Sequence, residues 1–152
     1  MKLLNKSEII IKKSRFLGYC YEIENEDEAK QIIADLKKEH KKARHIPYAY
    51  RLPNTAKKTD DKEPTGTAGM PIYNLLEMNN LNNHLIAVVR YYGGTKLGAG
   101  NLLRAYREAA NLTIKWQQKK DYFHSLFLYR IVYINYRYRY NLYITVNFKP
   151  LK

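Results

Sequence analysis

Two stretches of the chain concentrate residue types that do chemistry. The first is Asp60-Asp61-Lys62-Glu63-Pro64-Thr65-Gly66-Thr67-Ala68-Gly69-Met70-Pro71-Ile72, three carboxylates ahead of a glycine-spaced threonine pair and a helix start. Paired acids can hold a divalent cation or share a proton. On that reading Asp60, Asp61 and Glu63 would position a metal or a proton near a small anionic substrate, with His45 available as a base. The same residue types also build tight turns and helix entries. The leading reading is therefore a structural or binding loop, with Glu63, Thr65, Gly66, Thr67 and Gly69 as its candidate contacts.

The second stretch, Arg90 to Tyr106 (RYYGGTKLGAGNLLRAY), reads as strand, glycine-rich turn and helix. Glycines let backbone N–H groups come close to an anion, and a helix N-terminus adds free donors and partial positive charge. The spacing excludes the common nucleotide loops. No Gly-Lys-Ser/Thr follows at Walker spacing, and Leu103 stands where a third glycine would complete Gly98-x-Gly100. Arg104 falls in the first turn of the helix, where a cation costs about 0.3–1 kcal/mol against the dipole. A bound phosphate reverses that sign; pairing with Glu108, four residues on, is the alternative compensation. The candidate anion or RNA contacts are Gly93, Gly94, Thr95, Lys96, Gly98, Gly100, Arg104 and Arg107.

The remaining candidates are weaker. His45 has no partner evident in the sequence, and His40, His84 and His124 show no metal-ligand spacing. Cys20, within a strand pattern, reads as a small buried hydrophobe. Tyr91 and Tyr92 offer faces on which bases could stack, or they pack in the core. No metal or cofactor site is expected.

The elements that must carry these residues follow from periodicity. Glu8–Ile23 reads as one long or two short strands broken near Lys12-Lys13-Ser14. Asn25 caps a helix whose first turn holds Glu26, Asp27 and Glu28 and whose apolar stripe is Ala29, Ile32, Ile33 and Leu36. His45–Leu52 alternates as a strand, and Pro53–Gly69, without a period, reads as a long mobile loop. Pro71 suits the first turn of a short helix over Ile72–Met78. His84–Tyr92 is the strongest strand, apolar enough to be central with both faces covered. In the last helix, expected over Asn101–Gln117 with Asn101 as a candidate cap, Leu102, Tyr106, Ala109 and Thr113 share one side. Arg104, Arg107, Glu108, Asn111 and Lys115 share the other.

Composition bounds the class. The 152 residues carry 27 Lys and Arg against 14 Asp and Glu, a net charge of +13 that favours polyanionic partners. All fourteen acids lie at or before Asp121, whereas residues 122–152 hold five Lys or Arg and seven Tyr. That break predicts a domain over 1–120 and a basic, tyrosine-rich tail over 121–152. Apolar runs are far short of the ~20 residues of a membrane span. The start lacks a signal-peptide pattern, and a lone cysteine excludes an internal disulfide. A cytoplasmic address is expected.

Taken together, Ser14-Arg15-Phe16, His45-Ile46-Pro47-Tyr48-Ala49-Tyr50-Arg51, Asp60 to Ile72 and Val88 to Tyr106 resemble the YigZ/IMPACT family (UPF0029), over about residues 10–115. The resemblance implies an α+β two-layer sandwich, helices on one face of a mixed β-sheet, similar to elongation factor domain IV and to ribosomal protein domain 2-like folds. It also implies a non-catalytic binding protein linked to RNA, the ribosome or translation regulation, or a protein-binding adaptor. Asn101 stands where the family usually has another glycine. Bacterial relatives carry a second, ferredoxin-like domain, so the tail is expected to be a remnant or truncated form of it.

Overall fold

The computed structural model describes residues 1–115. The tail, and with it the expected boundary near residue 120, lies outside the described residues. Five strands form one sheet in the order β1-β2-β5-β3-β4.

The hairpin of β1 (Lys2–Ile11) and β2 (Ser14–Glu22) turns through Lys12 and Lys13, both at positive φ (46° and 64°). This is the mirror-type turn whose twist matches two antiparallel strands, and it falls at the expected break. Helix α1 (Glu26–Glu39) starts where Asn25 accepts a hydrogen bond from the Glu28 amide (2.9 Å), satisfying one orphan donor beside three acids. Strand β3 (Tyr48–Arg51) follows, then β4 (Ala56–Thr59), which pairs with β3 at the sheet edge. The stretch expected to be a mobile loop thus contains a strand. Its Ala-Lys-Lys-Thr sequence has no apolar alternation because an exposed edge strand has little core to face. Helix α2 (Gly69–Met78) leads to β5 (His84–Tyr91), and α3 occupies residues 99–115.

The α+β class is as expected, with two differences of detail. Among the described residues every strand pairing is antiparallel, where a mixed sheet was expected. Nor do the helices share one face. Side chains alternate along a strand, and β5, flanked by β2 and β3, uses both sides. Leu85, Ala87 and Val89 pack with Ile32, Ile33 and Leu36 of α1. Ile86 and Val88 pack with Leu75 and Leu76 of α2 and with Leu102, Tyr106 and Ala109 of α3. The near-continuous apolar run of β5 is the sequence record of that double burial. Truncating fully buried Ile86 to Ala should cost about 2–5 kcal/mol.

Helix α3 sits close against the sheet because of Gly18. A Cβ there would lie 2.6 Å from the Ala109 carbonyl oxygen and 2.4 Å from Ser7 Oγ. Ser7 donates to that carbonyl (2.6 Å), and the Asn5 side chain donates to the Thr113 carbonyl (3.1 Å). The close approach holds the Ala109–Thr113 part of α3 against β1 and β2.

Candidate functional site

Three segments converge where β5 ends. Residues 44–46 run beside the strand: the Arg44 amide donates to the Arg90 carbonyl (3.0 Å) and the Arg90 amide to the His45 carbonyl (2.9 Å). The turn after β4 brings Glu63 under the same point, and the glycine-rich turn brings Lys96 to Ala99 from the other side. Together they line a cleft of about 390 Å³ with Arg44, His45, Glu63, Arg90, Tyr92 and Lys96 as its polar and aromatic members.

The cleft rests on a buried polar cluster. Glu63 Oε1 accepts from Arg90 Nη1 (2.5 Å) and from the Tyr106 hydroxyl (2.7 Å). Burial and then the Glu63 carboxylate push the Tyr106 hydroxyl pKa far up, so it stays protonated and donates. Arg90 is 5% exposed, and its guanidinium lies between the Phe16 and Tyr92 rings, 5.6 and 5.7 Å from their centroids. Its Nε is buried with no hydrogen-bond partner among the described residues. His45 shares Nδ1 with the Asp61 carbonyl (2.8 Å). A carbonyl only accepts, so Nδ1 donates there, and Nε2 of the same ring lies 3.9 Å from Glu63 Oε1.

The acids of the first loop diverge. Asp60 accepts from the amides of Gly66 (2.9 Å), Ala68 (3.0 Å) and Gly69 (2.8 Å). Burial alone would raise its pKa, but the three amides together outweigh that and hold it below the ordinary value. Helix α2 has no capping side chain at Ala68, and Asp60 supplies the missing anion from outside the helix. Asp61 instead accepts from the Ile46 amide (2.7 Å). Thr67 turns inward and donates to the Pro64 carbonyl (2.7 Å), Thr65 is exposed, and Gly66 takes φ +78°. Gly69 lies against the Thr59 backbone, which a Cβ would meet at 2.7 Å. Among the described residues no three His, Cys, Asp or Glu converge as metal ligands. Asp60, Asp61 and Glu63 thus hold different partners: the α2 amides, the Ile46 amide, and Arg90 with Tyr106.

The second loop is open. Its first amide, Gly93 N–H, donates to Ser14 Oγ (3.1 Å), and the glycine packs against the β1–β2 turn at Lys13. From Gly94 onward the turn is exposed apart from Leu97. The first helical bond of α3 runs from the Leu102 amide to the Gly98 carbonyl (3.0 Å). The amides of residues 99–101 find no acceptor among the described residues. Asn101 does not cap the helix, because α3 already starts at residue 99; its side chain donates back to the Leu97 carbonyl (2.8 Å). Thr95, Lys96, Gly98 and Gly100 are exposed, and of these Lys96 and Gly98 line the cleft.

The two helix arginines lie elsewhere. Arg104 Nε donates to the Gly100 carbonyl (3.3 Å) instead of pairing with Glu108, and it does not line the cleft. Arg107 borders a separate groove beside Met70, Met78 and Leu103. Sequence reasoning missed Arg44, which sits over the Tyr92 ring at 5.4 Å, and the buried role of Arg90. It also missed His40, whose ring bridges the Tyr19 and Tyr91 hydroxyls (2.8 and 2.7 Å). A charged residue inside an otherwise apolar strand, as Arg90 is, was the available signal that a buried partner exists.

The Impact N-terminal domain family matches residues 12–114 of the chain. Similar proteins include IMPACT family member YvyE of Bacillus subtilis, 40% identical over 73% of this chain and 52% of that one. Another is IMPACT family member YigZ of Escherichia coli, 34% identical over 69% and 54% of the two chains. A crystal structure of a hypothetical protein matches with a TM-score of 0.72 and 32% identity, covering 75% of this chain and 57% of that one. The chain spans about half the length of the curated relatives it matches.

Proposed function

The chain belongs to the IMPACT family, and from that premise we propose that it is a non-catalytic binding module for a phosphate-bearing polymer, RNA or the ribosome first. The observation that carries this reading is the charge balance of the cleft. Glu63, its lining carboxylate, already has Arg90 and Tyr106 as partners. Arg44, Lys96 and the first amides of α3 are left without an anion from the described residues. A net charge of +13 adds long-range attraction for polyanions. Helix N-terminal amides beside lysine and arginine are a recurrent way to hold phosphate.

Affinity then comes chiefly from counterion release, with log K falling by about 0.7–0.9 per neutralised phosphate per unit of log salt. With about three contacts, raising salt from about 50 to about 200 mM weakens binding about 20- to 40-fold. Equilibrium binding of the full chain to ribosomal RNA across that range is the test. A flat response contradicts the reading. Protein contacts that survive nuclease treatment, without RNA affinity, would point to an adaptor instead. Translation regulation, a cytoplasmic address and a link to ribosomes belong to the same proposal.

A further inference from the structure

The cleft has an aromatic component that phosphate binding alone does not use. Tyr92 is 40% exposed just past β5, whose residues 85–90 are buried, and it lines the cleft. Two guanidinium groups lie by its ring, at 5.4 Å for Arg44 and 5.7 Å for Arg90. They differ in kind. Arg90 is buried and tied to Glu63, so it is a fixed wall whose Nε has no partner among the described residues. Arg44 is exposed, so its plane is free to shift. An aromatic ring with one fixed and one adjustable guanidinium is a surface for flat π-systems: bases stack both on tyrosine and on arginine planes.

Resting on the anion-binding reading above, we infer that the cleft takes one unpaired nucleotide, its base against Tyr92 and Arg44 and its phosphate at Lys96 and the start of α3. The protein therefore prefers single-stranded nucleic acid to a duplex. In a duplex both faces of each base are covered by neighbours, so the Tyr92 surface stays unused and phosphate contacts alone remain. A volume of about 390 Å³ lies in the range of small-ligand sites. Stacking on Tyr92 is tolerant of sequence, because every base has a π-face.

The test is fluorescence anisotropy of the full chain with a labelled RNA strand of about 12 nucleotides, alone and annealed to its complement. Tyr92→Leu, which keeps apolar bulk, should weaken single-strand binding about 5- to 150-fold with the salt slope unchanged. Tyr92→Phe should retain affinity, and duplex binding should respond to neither. Lys96→Ala should instead lower the salt slope by about 0.7. Thermal unfolding of each variant checks that the fold is kept; if Tyr92→Leu unfolds, the wild-type preference for strand over duplex decides alone. Salt-dependent binding that is equal for strand and duplex overturns this inference and leaves the anion-binding reading intact. No binding to either RNA overturns both.

Discussion

Two glycine-bearing turns in this domain lead into helices, and they meet the same electrostatic demand in opposite ways. Every helix N-terminus leaves amides without partners and a partial positive charge. At α2 the chain brings its own anion, since Asp60 takes the amides of Gly66, Ala68 and Gly69. At α3 none of the described acids does so, and the amides of residues 99–101 face an exposed turn next to Lys96. The contrast is written in where acids fall. Three precede Gly66, whereas none lies between Glu77 and Glu108. Glycines and threonines alone would not have separated a finished turn from an open one.

The comparison is broken most severely at Glu63. Its side chain is buried against Arg90 and Tyr106, so Glu63→Ala strands a buried guanidinium and should cost about 3–5 kcal/mol in chemical denaturation. A loss below about 1 kcal/mol would mean that the first turn is not built around internal anions.

Asp60→Asn should cost less, about 1–2 kcal/mol, because an amide still accepts with one oxygen but lacks charge. Here the sign with pH is definite. The folded-state pKa of Asp60 is depressed, so its stabilisation is complete above its unfolded value of about 3.9 and is lost as pH falls through the lower folded value. Melting temperatures of wild type and Asp60→Asn should converge over that acid window. His40 acts at higher pH. Burial lowers its pKa, so the fold loses stability as pH falls below about 6.5, and His40→Gln should flatten that limb.

The open turn should respond in the opposite sense. Lys96 and Arg44 are exposed, and replacing either with Ala should change stability by no more than about 0.5 kcal/mol while reducing RNA affinity. Destabilisation comparable to that of Asp60→Asn would show that the second turn, too, is structural.

Much of this arrangement was legible in the sequence. The hairpin break at Lys12-Lys13, the Asn25 cap and the stripe of α1 obey local rules, and the apolar run of β5 announced burial on both faces. Strand β4 was not legible, because an edge strand of Ala-Lys-Lys-Thr is defined by its pairing with β3 and not by hydrophobic pattern. The site was half legible. Asp60, Glu63 and Lys96 stood out by type, but their roles depend on distances across the fold. Asp60 reaches forward six to nine residues, and Glu63 meets Arg90 and Tyr106 far along the chain. Arg104 and Arg107 share a helix with the open turn, yet the helix turns them away from the cleft.

The central claim is that one turn already holds its anion and the other receives one from a ligand. Nitrogen-edited amide NMR of the full chain during titration with a short RNA strand tests it directly. The account predicts progressive shifts at the amides of Gly98, Ala99, Gly100 and Asn101, with those of Gly66, Ala68 and Gly69 unmoved. Shifts at both turns alike, or unmoved amides at α3 while RNA binds, would contradict it.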